Sequence, residues 1–464
     1  MTPTTCSHFV GRRSPQARGF TLVELLVSIA LVVLLLLGVN QVFKLSADAV
    51  GTGTTVSTMT RENRAAQSTM QEDISTAMVS NPPFLLINQV IRADPSQPDN
   101  WNAVRRETQF RFFRTGIHHR QTANDNQFSS TTQSIESSVW YGLTRYPSTG
   151  DATRDFATPQ VLFRSATLLL SDIPAGENFY ATVPNLPFSP LSPDTLADQP
   201  TRNAANGGTV NEIFLASRLD LANTSISAYQ TYIDDRRAGV RRMNKDPDAY
   251  GVSTWFDDLF FLRRNSGRYP DNGRHPNTGE EIFPSLEVIA QPRKPLDSEG
   301  VAKAAPYFVG NVSNFVVEFA GDFVTQRPND GFVTANLPDG VLDYQAVFLN
   351  NSPVATIRTR WYGMPRDVNG DNEIDYYDDV VPVRDIYTNA RGGAPAPFER
   401  YVPGGPTKFG SRSYAVNDFK ERNYTCLWTG AGQTPKLFRI LIKVEDPSGR
   451  VPTGQWWEYV LMPQ

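Results

Sequence analysis

Between Phe20 and Val39 the chain is mostly apolar: fifteen of these twenty residues are Phe, Leu, Ile or Val, and Glu24 is the only charged side chain. Twenty helical residues at about 1.5 Å each span roughly 30 Å, the thickness of a bilayer's hydrocarbon core. The apolar side chains contribute roughly −5 to −9 kcal/mol to insertion, against about +3 for one central carboxylate. The segment therefore reads as a transmembrane helix that inserts despite Glu24. Farther on, Val56, Met59, Asn63, Ala66, Met70, Ile74 and Ala77 recur every three or four residues, with Arg61, Glu62, Arg64, Glu72 and Asp73 between them. That period predicts an amphipathic helix continuing the span. Gly51 and Gly53 are expected to loosen it midway, and Pro82-Pro83 stops it, giving a stem over residues 20–80.

Beyond residue 84 the period shortens to two. Gln109–Thr115, Ser138–Tyr146, Val161–Leu170, Asn211–Arg218, Leu286–Gln291, Phe315–Phe319, Asp343–Leu349 and Ala355–Trp361 read as short strands, several alternating apolar and polar residues. The most regular pair is Leu437–Glu445 and Gln455–Leu461, joined by Asp446-Pro447-Ser448-Gly449-Arg450, which predicts a closing hairpin. The Pro- and Asn-rich stretches Ala181–Asn206 and Gly392–Gly410 read as surface loops. The expected fold class is α+β: a long hydrophobic N-terminal helix, then a large antiparallel β-rich head over residues 84–464.

Composition narrows the function. The chain has 464 residues, 40% hydrophobic and 20% charged, enough for one large or two medium cores beyond the anchor. Its net charge of −4 does not recommend nucleic acid as a partner. Of two cysteines, Cys6 precedes the apolar segment and Cys426 lies near the end, so a chain shortened at the N-terminus would keep one thiol and no intrachain disulfide. Arginines 12, 13 and 18 precede the span, and no Lys or Arg follows until Lys44, which places the leader inside and the body outside.

The run Arg18-Gly19-Phe20-Thr21-Leu22-Val23-Glu24 resembles the processing site of type IV prepilins and type II secretion pseudopilins. The resemblance implies that residues 1–19 are a leader removed by a prepilin peptidase after Gly19, with methylation of the new amino terminus at Phe20. It also implies that Glu24 meets the free amino terminus of a neighbouring pilin or pseudopilin subunit during assembly. An acid kept in a membrane span is a functional hypothesis in its own right. The small-x-small sequence Ala47-Asp48-Ala49 has the form of an ordinary signal-peptidase site, but the apolar region before it is longer than usual, carries a carboxylate and ends well short of it.

A second motif lies at Asp367, Asn369, Asp371, Glu373, Asp375 and Asp378, where oxygen-bearing side chains occupy positions 1, 3, 5, 7, 9 and 12 of a twelve-residue loop. Ca²⁺ takes six to eight oxygens, and the seventh position of such loops gives its backbone carbonyl. Ile374 follows as the aliphatic anchor, so the loop resembles those of EF-hand and dockerin modules, with Asn372 in place of the turn glycine. With strands expected on both flanks, over Thr356–Trp361 and Val380–Tyr387, a structural calcium site inside the β domain is expected. The competing reading is a solvated acidic turn.

An enzyme is not expected. The four histidines, His8, His118, His119 and His275, lie in no motif that orients them, and the sequence lacks a nucleophile elbow, a phosphate-cradling glycine loop and paired zinc cysteines. The expected role is a minor pseudopilin-like subunit of a type II secretion or type IV pilus-like fibre, held in the inner (cytoplasmic) membrane. Calcium-binding K-type tip subunits usually lack the acid at Glu24, so J-like or W-like subunits are the better comparison. The alternative is a membrane-anchored ligand-binding or adhesive module that uses pilin-type processing to reach the surface.

Overall fold

A computed structural model describes residues 21–82, 85–97, 104–120, 132–145, 150–175, 212–214, 221–222, 224–228, 230–231, 287–289, 307–328, 331–335, 337–347, 356–364, 373–374, 380–383, 400–403, 414–415, 423–430 and 432–464. The chain divides into two compact units, residues 1–58 and 59–464. One helix, α1 (Leu22–Ser75), begins in the first and ends in the second. The strands that follow are β1 (Leu85–Ala93), β2 (Val104–His119), β3 (Gln133–Arg145), β4 (Gln160–Leu169), β5 (Glu212–Phe214), β6 (Leu221–Ala222) and β7 (Glu287–Ile289), with a six-residue helix α2 (Ala152–Ala157) before β4. Next come β8 (Tyr307–Ala320), β9 (Thr325–Gln326), β10 (Val333–Ala335), β11 (Tyr344–Val347), β12 (Thr356–Thr359), β13 (Trp361–Gly363), β14 (Glu373–Ile374) and β15 (Val380–Pro382). The chain closes with β16 (Arg400–Pro403), β17 (Tyr414–Ala415), β18 (Asn423–Trp428), β19 (Leu437–Val444) and β20 (Gln455–Leu461). A long apolar helix followed by a β-rich head is the α+β arrangement the periodicity predicts.

From Leu22 to Val39 α1 is almost wholly apolar and exposed on every side: Leu22, Val27, Leu34 and Leu37 are all more than half exposed, as are Val42 and Phe43 beyond. It is the one helix among the described residues long and apolar enough to cross a membrane. Gly51 and Gly53 do not interrupt it. The threonines around them return their hydroxyls to the preceding turn, Thr52 to the Asp48 carbonyl at 2.9 Å, Thr54 to Val50 at 2.9 Å and Thr55 to Gly51 at 3.1 Å. These local bonds satisfy polar groups that would otherwise compete for the backbone.

In the second unit the end of α1 lies on a large, mostly antiparallel sheet whose main path runs β15-β13-β8-β4-β3-β2-β1-β18-β16, with β19 and β20 continuing from β8. Period-two alternation puts Phe110, Phe112, Val139, Tyr141, Phe315, Val317, Phe319, Phe438, Ile440 and Ile442 in one core. Met59, Ala66, Met70 and Ile74, one helical stripe, are buried in the same core. Each large side chain removed from water here is worth about 1.5–3 kcal/mol. The helix stops at Ser75, short of Ser80, because the next residues join the sheet: Met78 N–H donates to the Phe113 carbonyl at 2.8 Å and Thr115 N–H to Thr76 at 3.1 Å.

The closing hairpin is as the sequence predicts. β19 pairs with β20 from Phe438↔Leu461 to Val444↔Gln455. The turn is organised by the Asp446 carboxylate, which accepts from Ser448 N–H at 2.8 Å, Arg450 N–H at 2.7 Å and Val451 N–H at 2.9 Å. With the Ser448 hydroxyl also donating, its pKa is held below the ordinary range. Gly454 adopts φ +62°, and a Cβ there would lie 2.7 Å from the Val444 carbonyl oxygen, so only glycine fits. Beyond the hairpin, the Gln464 N–H reaches the Ser75 carbonyl at 3.3 Å, and the Tyr459 hydroxyl donates to the Asn63 carbonyl at 3.1 Å.

Candidate functional site

At the start of α1, Thr21 and Glu24 form a reciprocal cap. The Glu24 carboxylate accepts from both the N–H and the hydroxyl of Thr21 at 3.0 Å, while Glu24 N–H donates to the Thr21 hydroxyl oxygen at 3.3 Å. This is the Thr-x-x-Glu capping box, which satisfies backbone donors that a helix start leaves open. Sequence reading assigned Glu24 only an intermolecular task; the helix start also gives it a local one. Gly19 and Phe20, the expected processing residues, lie outside the described residues.

The expected calcium loop lies almost wholly outside the described residues: Asp367, Asn369, Asp371, Asp375 and Asp378 are not among them, and Glu373 enters only through the backbone of β14, which pairs with β17 through Glu373↔Ala415 and Ile374↔Tyr414. The loop's flanks are described. It connects β13 to β15, which lie side by side in parallel with Trp361↔Val380 and Tyr362↔Val381. Strands thus flank the loop on both sides. Among the described residues no group of three or more His, Cys, Asp or Glu side chains is placed to hold a metal.

Among the described residues a buried, strongly charged site escaped sequence reading. Asp73, fully buried on α1, lies between Arg114 of β2 and Arg164 of β4, with Tyr141 of β3 beside it. Arg164 binds it through two nitrogens, Nε to Oδ2 at 2.7 Å and Nη2 to Oδ1 at 2.8 Å. The Tyr141 hydroxyl donates to Oδ2 at 2.5 Å, and Arg114 Nη1 pairs with Oδ1. Arg114 Nε in turn donates to the Ser137 hydroxyl at 2.7 Å. Burial opposes the Arg164 charge, but the hydrogen bonds it donates to Asp73 and the Tyr141 oxygen, with the negative charge of Asp73, outweigh burial and raise its pKa. Burial and the Asp73 charge push the Tyr141 hydroxyl well up. For Arg114 burial prevails and lowers the pKa. Asp73 looked like a surface acid by residue type. It lies one position from Ile74 on the helical stripe, and the inward alternation Phe110, Phe112, Arg114 was the signal available for its partner.

Next to this cluster the end of β2 is bulged between Thr115 and His118, with Gly116 at φ +133°. At the bulge His118 is buried, 7% exposed, although no sequence motif orients it. Burial first, and the Arg114 charge second, depress its pKa to about 4. A second polar centre is Asp343, whose carboxylate accepts from Phe323 N–H at 3.0 Å, Val324 N–H at 3.2 Å and the Tyr362 hydroxyl at 2.7 Å; burial nevertheless raises its pKa to about 6.

A family model, Prokaryotic N-terminal methylation motif, matches residues 15–40. No curated protein and no solved structure matches the chain.

The His118 environment sets a pH dependence. A histidine whose folded pKa, about 4, lies below its unfolded value of about 6.5 favours folding when neutral, so its contribution is complete above the unfolded value and is lost as pH falls toward 4. Asp343, with its folded pKa raised, changes in the opposite sense, so the comparison must be against a variant that alters His118 alone. Between pH 7 and pH 4 the unfolding free energy of the full-length protein in detergent should fall by about 1–2 kcal/mol more than that of His118→Gln, after allowance for solvent screening. Parallel curves for the two proteins would contradict this account of the bulge.

With the motif at residues 15–40 and the apolar helix from Leu22, the chain carries the prepilin-type N-terminal methylation signal on a membrane-anchor helix, as pilin- and pseudopilin-type proteins do.

Proposed function

We propose that this chain is a minor pseudopilin-like structural subunit of a type II secretion or type IV pilus-like fibre. In this reading a prepilin peptidase cuts after Gly19 and the new terminus at Phe20 is methylated. The carrying observation is the methylation motif at residues 15–40, set on a 54-residue helix whose stretch from Leu22 to Val39 is exposed and, apart from Glu24 and Ser28, apolar. Such a helix is unstable in water and suits either a bilayer or a bundle of like helices. Glu24 serves twice, capping its own helix through Thr21 and meeting a neighbouring subunit's amino terminus. The arginines at 12, 13 and 18 before the span support a head on the periplasmic or outer side of the cytoplasmic membrane. The head's role is mechanical and recognitional, without a reaction of its own, and size supports a minor subunit, because so large a head crowds a densely packed filament.

Peptide mass spectrometry on protein from the native host tests the processing step. The expected N-terminal peptide begins at Phe20 and carries one added methyl group. A chain beginning near Val50, or an intact Met1, would refute pilin-type processing.

We also propose that Asp367, Asn369, Asp371, Glu373, Asp375 and Asp378 hold a structural Ca²⁺, on the strength of their spacing and hard oxygen donors. With β13 and β15 as parallel neighbours on its flanks, the ion would clamp the crossover between two strands rather than open a pair of helices. Isothermal titration of the full-length protein in detergent should show calcium heat that an Asp367→Ala, Asp371→Ala double variant lacks, and a chelator should lower the melting temperature of the parent protein alone. Identical heats from the two proteins would end the claim.

A further inference from the structure

The last strand, β20, is apolar on both faces, a pattern proper to strands covered on both sides. On one face Trp457, Tyr459 and Leu461 pack into the core. On the other Trp456 is 50% exposed, Val460 54% and Met462 65%, with the Glu458 side chain 54% exposed between the first two. All seven residues of β20 pair with β19, and among the described residues β20 pairs with no other strand. Edge strands that must stay alone are guarded by charged side chains, lysine above all, by prolines or by bulges. Gln455–Leu461 has no lysine, proline or bulge, its register with β19 is unbroken, and its one charge is Glu458.

We propose that the outer edge of β20 accepts an extended segment of a partner protein as an added strand, carrying a lysine or arginine between two apolar side chains on the Trp456 face. Backbone pairing at an open edge supplies affinity, and alternate side chains supply selectivity. Glu458 sets the charge of the partner. The nearest cation, Arg439, approaches it only to 3.9 Å, because Arg439 is held by Glu318 at 2.5 Å and lies against the Trp361 ring, 4.7 Å from its centroid. A second copy of this chain suits the edge poorly. The antiparallel register that overlaps two β20 strands along their whole length centres on Glu458 and sets two carboxylates opposite each other, an unfavourable cross-strand pair. The inference concerns the head alone and does not depend on how the N-terminus is processed.

The test uses the full-length protein in detergent micelles and three synthetic nine-residue peptides in which valine and threonine alternate: one with lysine at its centre, one with glutamate there, and the lysine peptide N-methylated at its central amides. Calorimetry should show the lysine peptide binding at least tenfold more tightly than the glutamate peptide, and N-methylation should abolish binding. Glu458→Gln should bring the two unmodified peptides together, and Glu458→Lys should reverse their order; both substitutions fall on an exposed side chain and leave the core intact. Equal binding of the two peptides by the parent protein would overturn the proposal. So would retained binding after N-methylation, which marks a plain apolar patch, or a self-association that Glu458→Lys abolishes, which marks an interface between copies.

Discussion

Taking a carboxylate out of water costs several kcal/mol unless hydrogen-bond donors and opposite charge replace the water, and Asp73 is placed where both are supplied from the sheet. The carboxylate belongs to α1, while its donors belong to β2, β3 and β4. The site is therefore complete only when three strands are paired in register and the helix is seated on them, with its carboxylate neutralising two buried guanidiniums. The geometry is exacting in a way that the apolar contacts of Met70 and Ile74 are not, since apolar contact tolerates sliding and a bidentate arginine does not. A helix built from the stripe alone could slip by a turn on the sheet; Asp73 selects one register.

The same logic recurs in milder form along the end of α1. Asn63, fully buried, donates to its own helix at the Met59 carbonyl at 2.8 Å and lies beside the Tyr459 hydroxyl of β20. Arg439 and Glu318 make a second buried ion pair between β19 and β8, on strands whose pairing runs from Leu437↔Ala320 to Val444↔Val312. Polar groups thus fix register across the core while aromatic contacts supply its bulk, such as Phe319 against Trp428 with ring centroids 4.9 Å apart. These polar contacts hold the end of α1 and the strands of the head in one defined arrangement.

Much of this plan is legible in the sequence, for reasons that differ by element. The apolar run from Phe20 is local and leads to the anchor helix, whereas the cap that Thr21 and Glu24 form at its start went unread although their spacing carries it. Alternation from Gln109 to Thr115 and from Leu437 to Glu445 marks β2 and β19 because Phe110, Phe112, Phe438, Ile440 and Ile442 share the core face, although residues on the opposite face, such as Arg111 and Arg439, are buried too. β1 and β18 were missed: Leu85 to Ala93 breaks strict alternation with Asn88 and Gln89, and both strands owe their place to each other and to their sheet neighbours β2 and β16. Asp73, Arg114 and Arg164 were missed because burial of a charge is a tertiary fact, settled by residues 41 and 91 positions away from Asp73. The glycines at 51 and 53 misled in the other direction, since helix propensity is a weak prior and a long helix carries two of them without a break.

If the Asp73 cluster is what fixes the helix to the sheet, its loss should be visible as local release and not merely as general weakening. Hydrogen–deuterium exchange on the full-length protein in detergent, comparing the parent with Asp73→Ala, reads this directly in the amides of Met59–Ser75. The account predicts that their protection falls by about 3–5 kcal/mol, because the substitution leaves two buried guanidiniums without their counter-ion. Unchanged protection of Met59–Ser75 in the variant would mean that apolar contact alone holds the stem to its head, and would contradict the account.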